Sequence, residues 1–160
     1  MRTQQSPVTE IYSLAMLEVT KLLATFCCGV FFGAALYISL VQHPAALETG
    51  NEFAARFFRP MYRRAGGLQA SLALVGCASA SMAWLSGAGE LWLAAAVLIG
   101  SVVPFTLIVI KPVNDALLQN RASEVAALFT RWGYLHWART TASGLAFLLC
   151  LIGDDSRAQF

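Results

Sequence analysis

Charged residues are scarce in this chain of 160 residues, since only 12% are Asp, Glu, Lys or Arg, whereas 58% are hydrophobic. Soluble domains carry about 25% charged residues, so a soluble globular protein is close to excluded. The formal net charge of +2 gives no global attraction to nucleic acid, and we expect no nucleic-acid partner. The length suits a single domain, residues 1–160, because domains contain roughly 100 to 200 residues.

Recognised metal-binding and catalytic motifs are also absent. None of the four cysteines forms a CxxC pair, and all four lie inside apolar runs. We therefore expect small buried hydrophobic residues rather than a zinc or redox site. Nucleotide-binding, phosphate-loop and serine-hydrolase signatures are missing as well.

Long runs without charge dominate what the sequence does contain. Residues 22–41 hold 20 uncharged positions, and a helix of that length, at about 1.5 Å rise per residue, matches a hydrocarbon core of roughly 30 Å. The runs 65–89 and 91–110 are separated only by Glu90, which follows a Ser-Gly-Ala-Gly segment. This pattern predicts an antiparallel helical hairpin.

The fourth uncharged run, 140–153, has 14 residues and is too short to cross a membrane alone. Its helix must therefore begin near Trp132 and carry Arg139 to membrane level. Because these runs lack the alternation of barrel strands, we predict an all-α fold, an integral membrane four-helix bundle. Small residues such as Gly29 and Gly33 are expected to let its helices approach closely. The predicted spans are residues 20–42, 66–86, 90–110 and 132–153.

The two long connections are predicted to form short interfacial helices. Residues 51–64 alternate aromatic and basic residues, and residues 114–132 carry apolar residues at helical spacing. Lys and Arg concentrate in these connections, whereas the opposite face has only Arg2, Lys21 and Arg157. The positive-inside rule then places the long loops in the cytoplasm and both termini in the periplasm. We interpret the chain as a bacterial inner-membrane protein.

Polar residues near membrane depth usually face a cavity or a partner, because exposing them to lipid is costly. Each of those present here has an ordinary explanation as an interfacial hydrogen bonder, a helix cap or a snorkelling side chain. Both histidines of the chain, however, fall at the same cytoplasmic end of the predicted bundle. The candidate catalytic residues at that end are His43, Asn114, Asp115, His136 and Arg139.

Two kinds of chemistry stay open for these residues. Two histidines with Asp115 supply the donors of a two-His, one-carboxylate iron site, and the histidines alone suit copper or haem. Alternatively, a neutral histidine removes a proton from an acidic carbon while Arg139 and Asn114 stabilise the oxyanion that forms. Both schemes require His43 and His136 to lie within reach of one substrate.

Three segments resemble a known family of small membrane proteins that includes the anthrone oxygenases. They are SLVQHPA (39–45), VPFTLIVIKPVNDALL (103–118) and RWGYLHWARTTAS (131–143), in this order across four spans. The resemblance covers about residues 22–152. Gln42 stands where the family usually has an acidic residue before His-Pro, and Val113 replaces the usual threonine of a Pro-Thr-Asn motif.

The resemblance implies that an anthrone, a tricyclic phenol with an acidic methylene, is oxidised by O2 to an anthraquinone without an added cofactor. In this interpretation His43 or His136 is the base, and Arg139 with Asn114 holds the phenolate. A metal alternative keeps haem, iron or copper on His43 and His136. The substrate-binding candidates are Phe57, Phe58, Trp132, Tyr134 and Arg121.

The first hypothesis is a membrane oxidoreductase, a monooxygenase that oxidises an anthrone-like or quinol-like molecule with O2 at the cytoplasmic end of the bundle. The alternative is a non-enzymatic membrane subunit that binds haem or metal or is purely structural. The expected partners are the lipid bilayer, a hydrophobic aromatic molecule and O2. Homo-oligomerisation stays open.

Overall fold

The computed structural model describes residues 7–119 and 124–155, and this part of the chain is helical apart from short turns. Six α-helices and two π-helical segments follow one another in the described chain. They are α1 (Pro7–Tyr37), a first π-helical segment (Ile38–Gln42), α2 (His43–Glu48), α3 (Asn51–Leu85), α4 (Glu90–Phe105), a second π-helical segment (Thr106–Ile110), α5 (Lys111–Leu118) and α6 (Val125–Asp155).

These elements join into four long helices, each of sufficient length and apolar character to cross a membrane. This confirms the predicted all-α membrane fold of four helices. The boundaries of the membrane spans, and the side of the membrane on which each end lies, stay predictions. The four candidate membrane helices are Val8–Glu48, Asn51–Leu85, Glu90–Leu118 and Val125–Asp154.

Four prolines lie inside these long helices without ending them. Two of the four each follow a π-helical segment, since Ile38–Gln42 precedes Pro44 and Thr106–Ile110 precedes Pro112. A proline lacks an N–H, and its ring clashes with the carbonyl four residues back. A wider π turn at that point accommodates both effects, and such turns are frequent at functional sites. The first long helix therefore continues past Pro44 to Glu48.

The predicted interfacial helices are helical, but they are not separate from the spans. Residues 51–64 form the first part of α3, because Pro60 and Gly66 are tolerated within an unbroken helix. The second connection is divided between the end of α5 and the beginning of α6. The chain reverses instead at Gly50, with φ of 101°, and between α3 and α4, where Gly87 and Gly89 have φ of 85° and 106°. Positive φ values of this kind favour glycine.

The long helices form a closed ring in which α1 and α4 each pack against both α3 and α6. One core cluster fills the ring with small residues around a few large ones, among them Phe31, Trp92 and Ile99. A second cluster, rich in aromatic residues, includes Phe58, Phe129 and Trp132 and lies at the α2 and α5 end. This second end is where the sequence placed the polar residues.

At the opposite end of the bundle, a buried lysine of α1 pairs with an acidic residue of α6. The Lys21 side chain is 8% exposed, and its Nζ lies 2.5 Å from Asp154 on α6 and 3.0 Å from Glu18. The first and last membrane helices are thereby linked. The four cysteines are free thiols, three of them buried, as expected for small core residues.

The glycines of α1 differ in what surrounds them. A Cβ added at Gly29 would lie 2.9 Å from the Phe147 ring, whereas one added at Gly33 would meet nothing within 4 Å. On α3, a Cβ added at Gly76 would lie 3.2 Å from Cys27 Cβ of α1, an atom close to the backbone that cannot move far. Close approach of α1 and α3 therefore depends on Gly76 and not on Gly33.

We expect Gly76→Leu to destabilise the bundle by about 1–3 kcal/mol, because overpacking a tight helix contact forces the backbones apart. The midpoint of thermal unfolding in detergent micelles measures the change. Gly33→Leu is the matched control, since it places the same side chain on open surface. Equal midpoints for the two variants would contradict this packing of α1 against α3.

Candidate functional site

A cavity of about 190 Å³ lies between the long helices, and all of its lining residues belong to the four candidate membrane helices. Its walls are mostly apolar. Helix α6 contributes Trp132, His136 and Arg139, which are three and four residues apart and therefore share one face. Helix α3 contributes Gln69, whose side chain is buried. The cavity thus combines an imidazole, a guanidinium and an amide between the candidate membrane helices.

The His136 imidazole is buried and held by a short chain of hydroxyl groups. Its Nδ1 lies 2.9 Å from Ser39 Oγ, and Ser39 Oγ lies 3.0 Å from Thr140 Oγ1. Thr140 in turn donates to the backbone carbonyl of His136 at 3.1 Å. The Nε2 of His136 makes none of the hydrogen bonds found among the described residues, so it is the ring nitrogen available to a molecule in the cavity.

The Arg139 guanidinium is fixed by two neighbours. Its Nη2 donates to Gln69 Oε1 at 2.9 Å, and its central carbon lies 5.5 Å from the centroid of the Phe31 ring, within the range of a cation–π interaction. Within the described chain, Arg139 Nε and Gln69 Nε2 are buried without a hydrogen-bond partner. Both are N–H donors, so the pair is short of an acceptor.

The Trp132 indole organises the aromatic end of the cavity. Its Nε1 donates to Asn114 Oδ1 at 2.8 Å, and both residues are buried. The ring stacks on the His136 imidazole with a centroid distance of 4.7 Å, and it contacts the His43 ring at 5.2 Å. Phe58 meets the indole edge-on. Asn114 therefore positions Trp132 and does not line the cavity itself.

His43 contacts the same indole but lines a different and much smaller pocket, together with Phe57 and Phe58. Its ring presses on the backbone of α6, since a Cβ added at Gly133 would lie 2.9 Å from His43 Cε1. Its Nε2 is buried without a hydrogen-bond partner in the described chain. The structure brings both histidines to Trp132, but places His136 alone of the two in the large cavity.

Two further sequence candidates lie away from the cavity. The Asp115 carboxylate pairs with Lys111 Nζ at 2.6 Å on an exposed face, because the two residues are four apart on α5. The Tyr134 side chain is 74% exposed on the outside of α6. Arg121 lies outside the described residues.

The phenylalanine candidates support the site without lining the large cavity. Phe57 stacks against Phe53 at a centroid distance of 5.9 Å, and Phe58 is buried behind Trp132 and stacks on Tyr62. Sequence reasoning overlooked Gln69, although it is the amide side chain within the uncharged run 65–89. The cost of placing polar groups in lipid, applied to amides as well as to charges, would have singled it out.

The donor set does not fit a metal centre that needs three protein ligands. Among the described residues, no group of three or more His, Cys, Asp or Glu side chains converges, whereas zinc sites and two-His, one-carboxylate iron sites use three or four such ligands. Asp115 is engaged with Lys111, and the Trp132 indole occupies the space beside both imidazoles. The two histidines therefore do not form a two-His, one-carboxylate centre.

The fold and the cavity define a class: a four-helix membrane protein with a buried polar site in an apolar pocket. Comparison with known proteins agrees with this class. The family model of the anthrone oxygenases matches residues 58–149, and the chain belongs to that family. The anthrone oxygenase tpcL of Aspergillus fumigatus is 29% identical over 140 residues, which is 79% of this chain and 87% of the relative. No solved structure gives a significant match.

The contact between Asn114 and Trp132 gives a testable consequence for stability. We expect Asn114→Ala to lower the free energy of unfolding by about 1–3 kcal/mol, because it leaves the buried indole N–H without an acceptor. The thermal unfolding midpoint measures the loss. Asn51→Ala, at an exposed asparagine, is the control, and an equal effect of both substitutions would show that the hydrogen bond does not contribute.

Proposed function

We propose that this protein oxidises an anthrone-like aromatic molecule with O2, and that the reaction takes place in the large cavity. The observation that carries the proposal is a buried imidazole with an available nitrogen beside a guanidinium and an amide in an apolar pocket. Family membership and the printed name of the A. fumigatus relative support the same reaction class.

The size and position of the cavity favour a flat substrate that arrives from the bilayer. An apolar cavity of about 150 Å³ holds benzene, so about 190 Å³ encloses part of a tricyclic ring system. The rest of the substrate would lie in the mouth between α3 and the second π-helical segment. Ala70 and Leu107 line this mouth and are exposed on the outside of the bundle, where lipid would surround them.

His136 is the proposed base. An anthrone carries a methylene opposite its carbonyl, and removal of a methylene proton moves the electron pair onto the carbonyl oxygen, which yields an aromatic phenolate. His136 Nε2 accepts the proton. Arg139 and Gln69 supply N–H donors to the developing oxyanion, in an apolar environment where such interactions are strong. In this assignment Gln69 takes the role that the sequence gave to Asn114.

The anion then reacts with O2. It gives one electron to O2, and the two radicals combine to form a carbon–oxygen bond at the former methylene carbon. The peroxide anion takes the proton back from His136, and loss of water from the resulting hydroperoxide, with the second hydrogen of the former methylene, leaves a second carbonyl group. In the balance, one anthrone and one O2 give one anthraquinone and one water, so that one oxygen atom enters the product and O2 is the oxidant.

The distribution of charge supports the proposed orientation, with the site towards the cytoplasm. Exposed basic residues concentrate at the site end of the bundle, whereas the described residues of the opposite end contain Lys21, which is paired with acidic groups. By the positive-inside rule, the basic end faces the cytoplasm. The basic residues at the site end are Arg56, Arg59, Arg63, Arg64, Lys111 and Arg131.

We expect His136→Gln to lower kcat/KM for anthrone by about 10²–10⁴-fold, which is the usual contribution of a general base. Purified protein in micelles is assayed by anthraquinone absorbance and O2 uptake, after subtraction of the rate in empty micelles. His43→Gln is the comparison variant, with a loss of less than about tenfold because His43 does not line the cavity.

Unfolding midpoints close to that of the unsubstituted protein show that both variants fold. Turnover that is unchanged in folded His136→Gln would refute the assignment of the base. Absence of anthrone turnover in the unsubstituted protein would instead favour the non-enzymatic membrane subunit.

Entry from the bilayer is tested at the mouth of the cavity. We expect Ala70→Trp to reduce kcat/KM for anthrone by about tenfold or more, because an indole at that position fills space needed by the substrate. Ala78→Trp is the matched control, since Ala78 is also exposed on α3 but does not line the cavity. Equal rates for the two variants would place the entrance elsewhere.

A further inference from the structure

We infer that Ser39 is a positioning residue that fixes the tautomer of His136, with the proton on Nδ1 and the lone pair on Nε2. The inference stands on three contacts among Ser39, Thr140 and His136. Its catalytic meaning rests on the proposed function, but the tautomer itself is a property of the protein without substrate.

The number of hydrogen bonds can be compared with the number of protons that the two hydroxyl groups supply. The contacts are His136 Nδ1 to Ser39 Oγ at 2.9 Å, Ser39 Oγ to Thr140 Oγ1 at 3.0 Å, and Thr140 Oγ1 to the His136 carbonyl at 3.1 Å. Each hydrogen bond needs one proton, and each hydroxyl has one to donate. Two hydroxyl protons satisfy two contacts, so the third proton must lie on Nδ1.

The donor and acceptor of each hydrogen bond follow from the last contact, which is to the backbone carbonyl of His136. The carbonyl of His136 can only accept, so the Thr140 hydroxyl is the donor in that contact. Thr140 Oγ1 then accepts from Ser39, and Ser39 Oγ accepts from His136 Nδ1. With the proton on Nε2 instead, one of the three contacts would have no proton. Ser39, Thr140 and His136 are all buried, so water would not replace the missing bond.

Ser39 is unusual among the hydroxyl residues of the described helices. Thr25, Ser81 and Thr106 each donate to a carbonyl one turn back in their own helix. Ser39 bonds instead to two side chains of α6, and it lies in the first π-helical segment. The π turn that precedes Pro44 therefore has a second consequence, because the chain at that turn carries a hydroxyl that bonds across to His136.

The tautomer decides what the cavity side of His136 can do. In the neutral Nδ1–H form, Nε2 has a lone pair and accepts a proton, whereas in the Nε2–H form the same nitrogen is a donor. Only the first form serves as a base towards a molecule in the cavity. In the serine-protease triad, the wrong histidine tautomer costs about 10⁴-fold in rate. The position of the His136 proton is therefore expected to have a large effect on the rate of the proposed reaction.

The test is ¹⁵N NMR of histidine-labelled protein in micelles, at a pH where the imidazoles are neutral. The chain has two histidines, and His43→Gln removes one set of signals, which assigns the other set to His136. We expect a protonated-type shift for Nδ1 and an unprotonated-type shift for Nε2. The opposite pattern would overturn the inference without any need for a variant at Ser39.

Two serine variants then test the cause. Ser39→Ala removes the acceptor of Nδ1–H, and we expect the His136 signals to move towards the Nε2–H tautomer. Ser143→Ala is the matched control, since the buried Ser143 hydroxyl bonds to the Thr140 carbonyl and not to the imidazole chain. Signals that stay unchanged in folded Ser39→Ala would show that Ser39 does not set the tautomer.

Turnover separates this inference from the proposed function. We expect Ser39→Ala to lose about tenfold in anthrone turnover, in line with the net contribution of one hydrogen bond, and Ser39→Thr, which keeps a hydroxyl, to recover part of it. If NMR shows the Nδ1–H tautomer while the unsubstituted protein does not turn over anthrone, the proposed function fails and the tautomer assignment stands.

Discussion

The structure depends on one constraint: polar groups at membrane depth must find their hydrogen-bond partners inside the protein, because lipid offers none. Three such pairings define the site, and each joins a different part of the chain to α6. Ser39 of the first long helix meets His136, Gln69 of α3 meets Arg139, and Asn114 of α5 meets Trp132. Helix α6 is therefore common to all three, and its rotation within the bundle is set by polar contacts as well as by packing.

The Trp132 indole contacts both histidine rings, and the two rings have different surroundings. One environment contains the His136 imidazole, which stacks on the indole and lines the large cavity, and the other contains His43, which lines a small aromatic pocket. Two histidines at the same end of a membrane bundle suggest a shared role when only the sequence is known. In the structure they have different surroundings, because one large side chain contacts both rings and is held by Asn114.

The sequence predicts the helices and one face of the site, but not how the faces meet. Uncharged runs give the four long helices, and the spacing of Trp132, His136 and Arg139 places them on a common face of α6. The pairing of Gln69 with Arg139 depends on the rotation of α3 relative to α6, which no spacing within one helix determines. The position of Asp115 away from the cavity has a local cause that the sequence contains, since Lys111 lies four residues away on the same helix and pairs with its carboxylate.

Unpaired donors beside the cavity give a physical reason for the proposed site to favour a reaction over simple binding. Arg139 Nε and Gln69 Nε2 are buried N–H groups without acceptors in the described chain, and leaving such a group unpaired costs about 1–3 kcal/mol. A neutral aromatic molecule offsets little of that cost, because its carbonyl is a modest acceptor. A phenolate is a stronger acceptor, since its charge strengthens the hydrogen bond from the neutral Gln69 amide and adds an ionic attraction to the Arg139 cation. In the proposed reaction, the donors therefore interact most strongly with the oxygen after His136 has taken the proton, and this difference between the neutral and anionic states lowers the barrier.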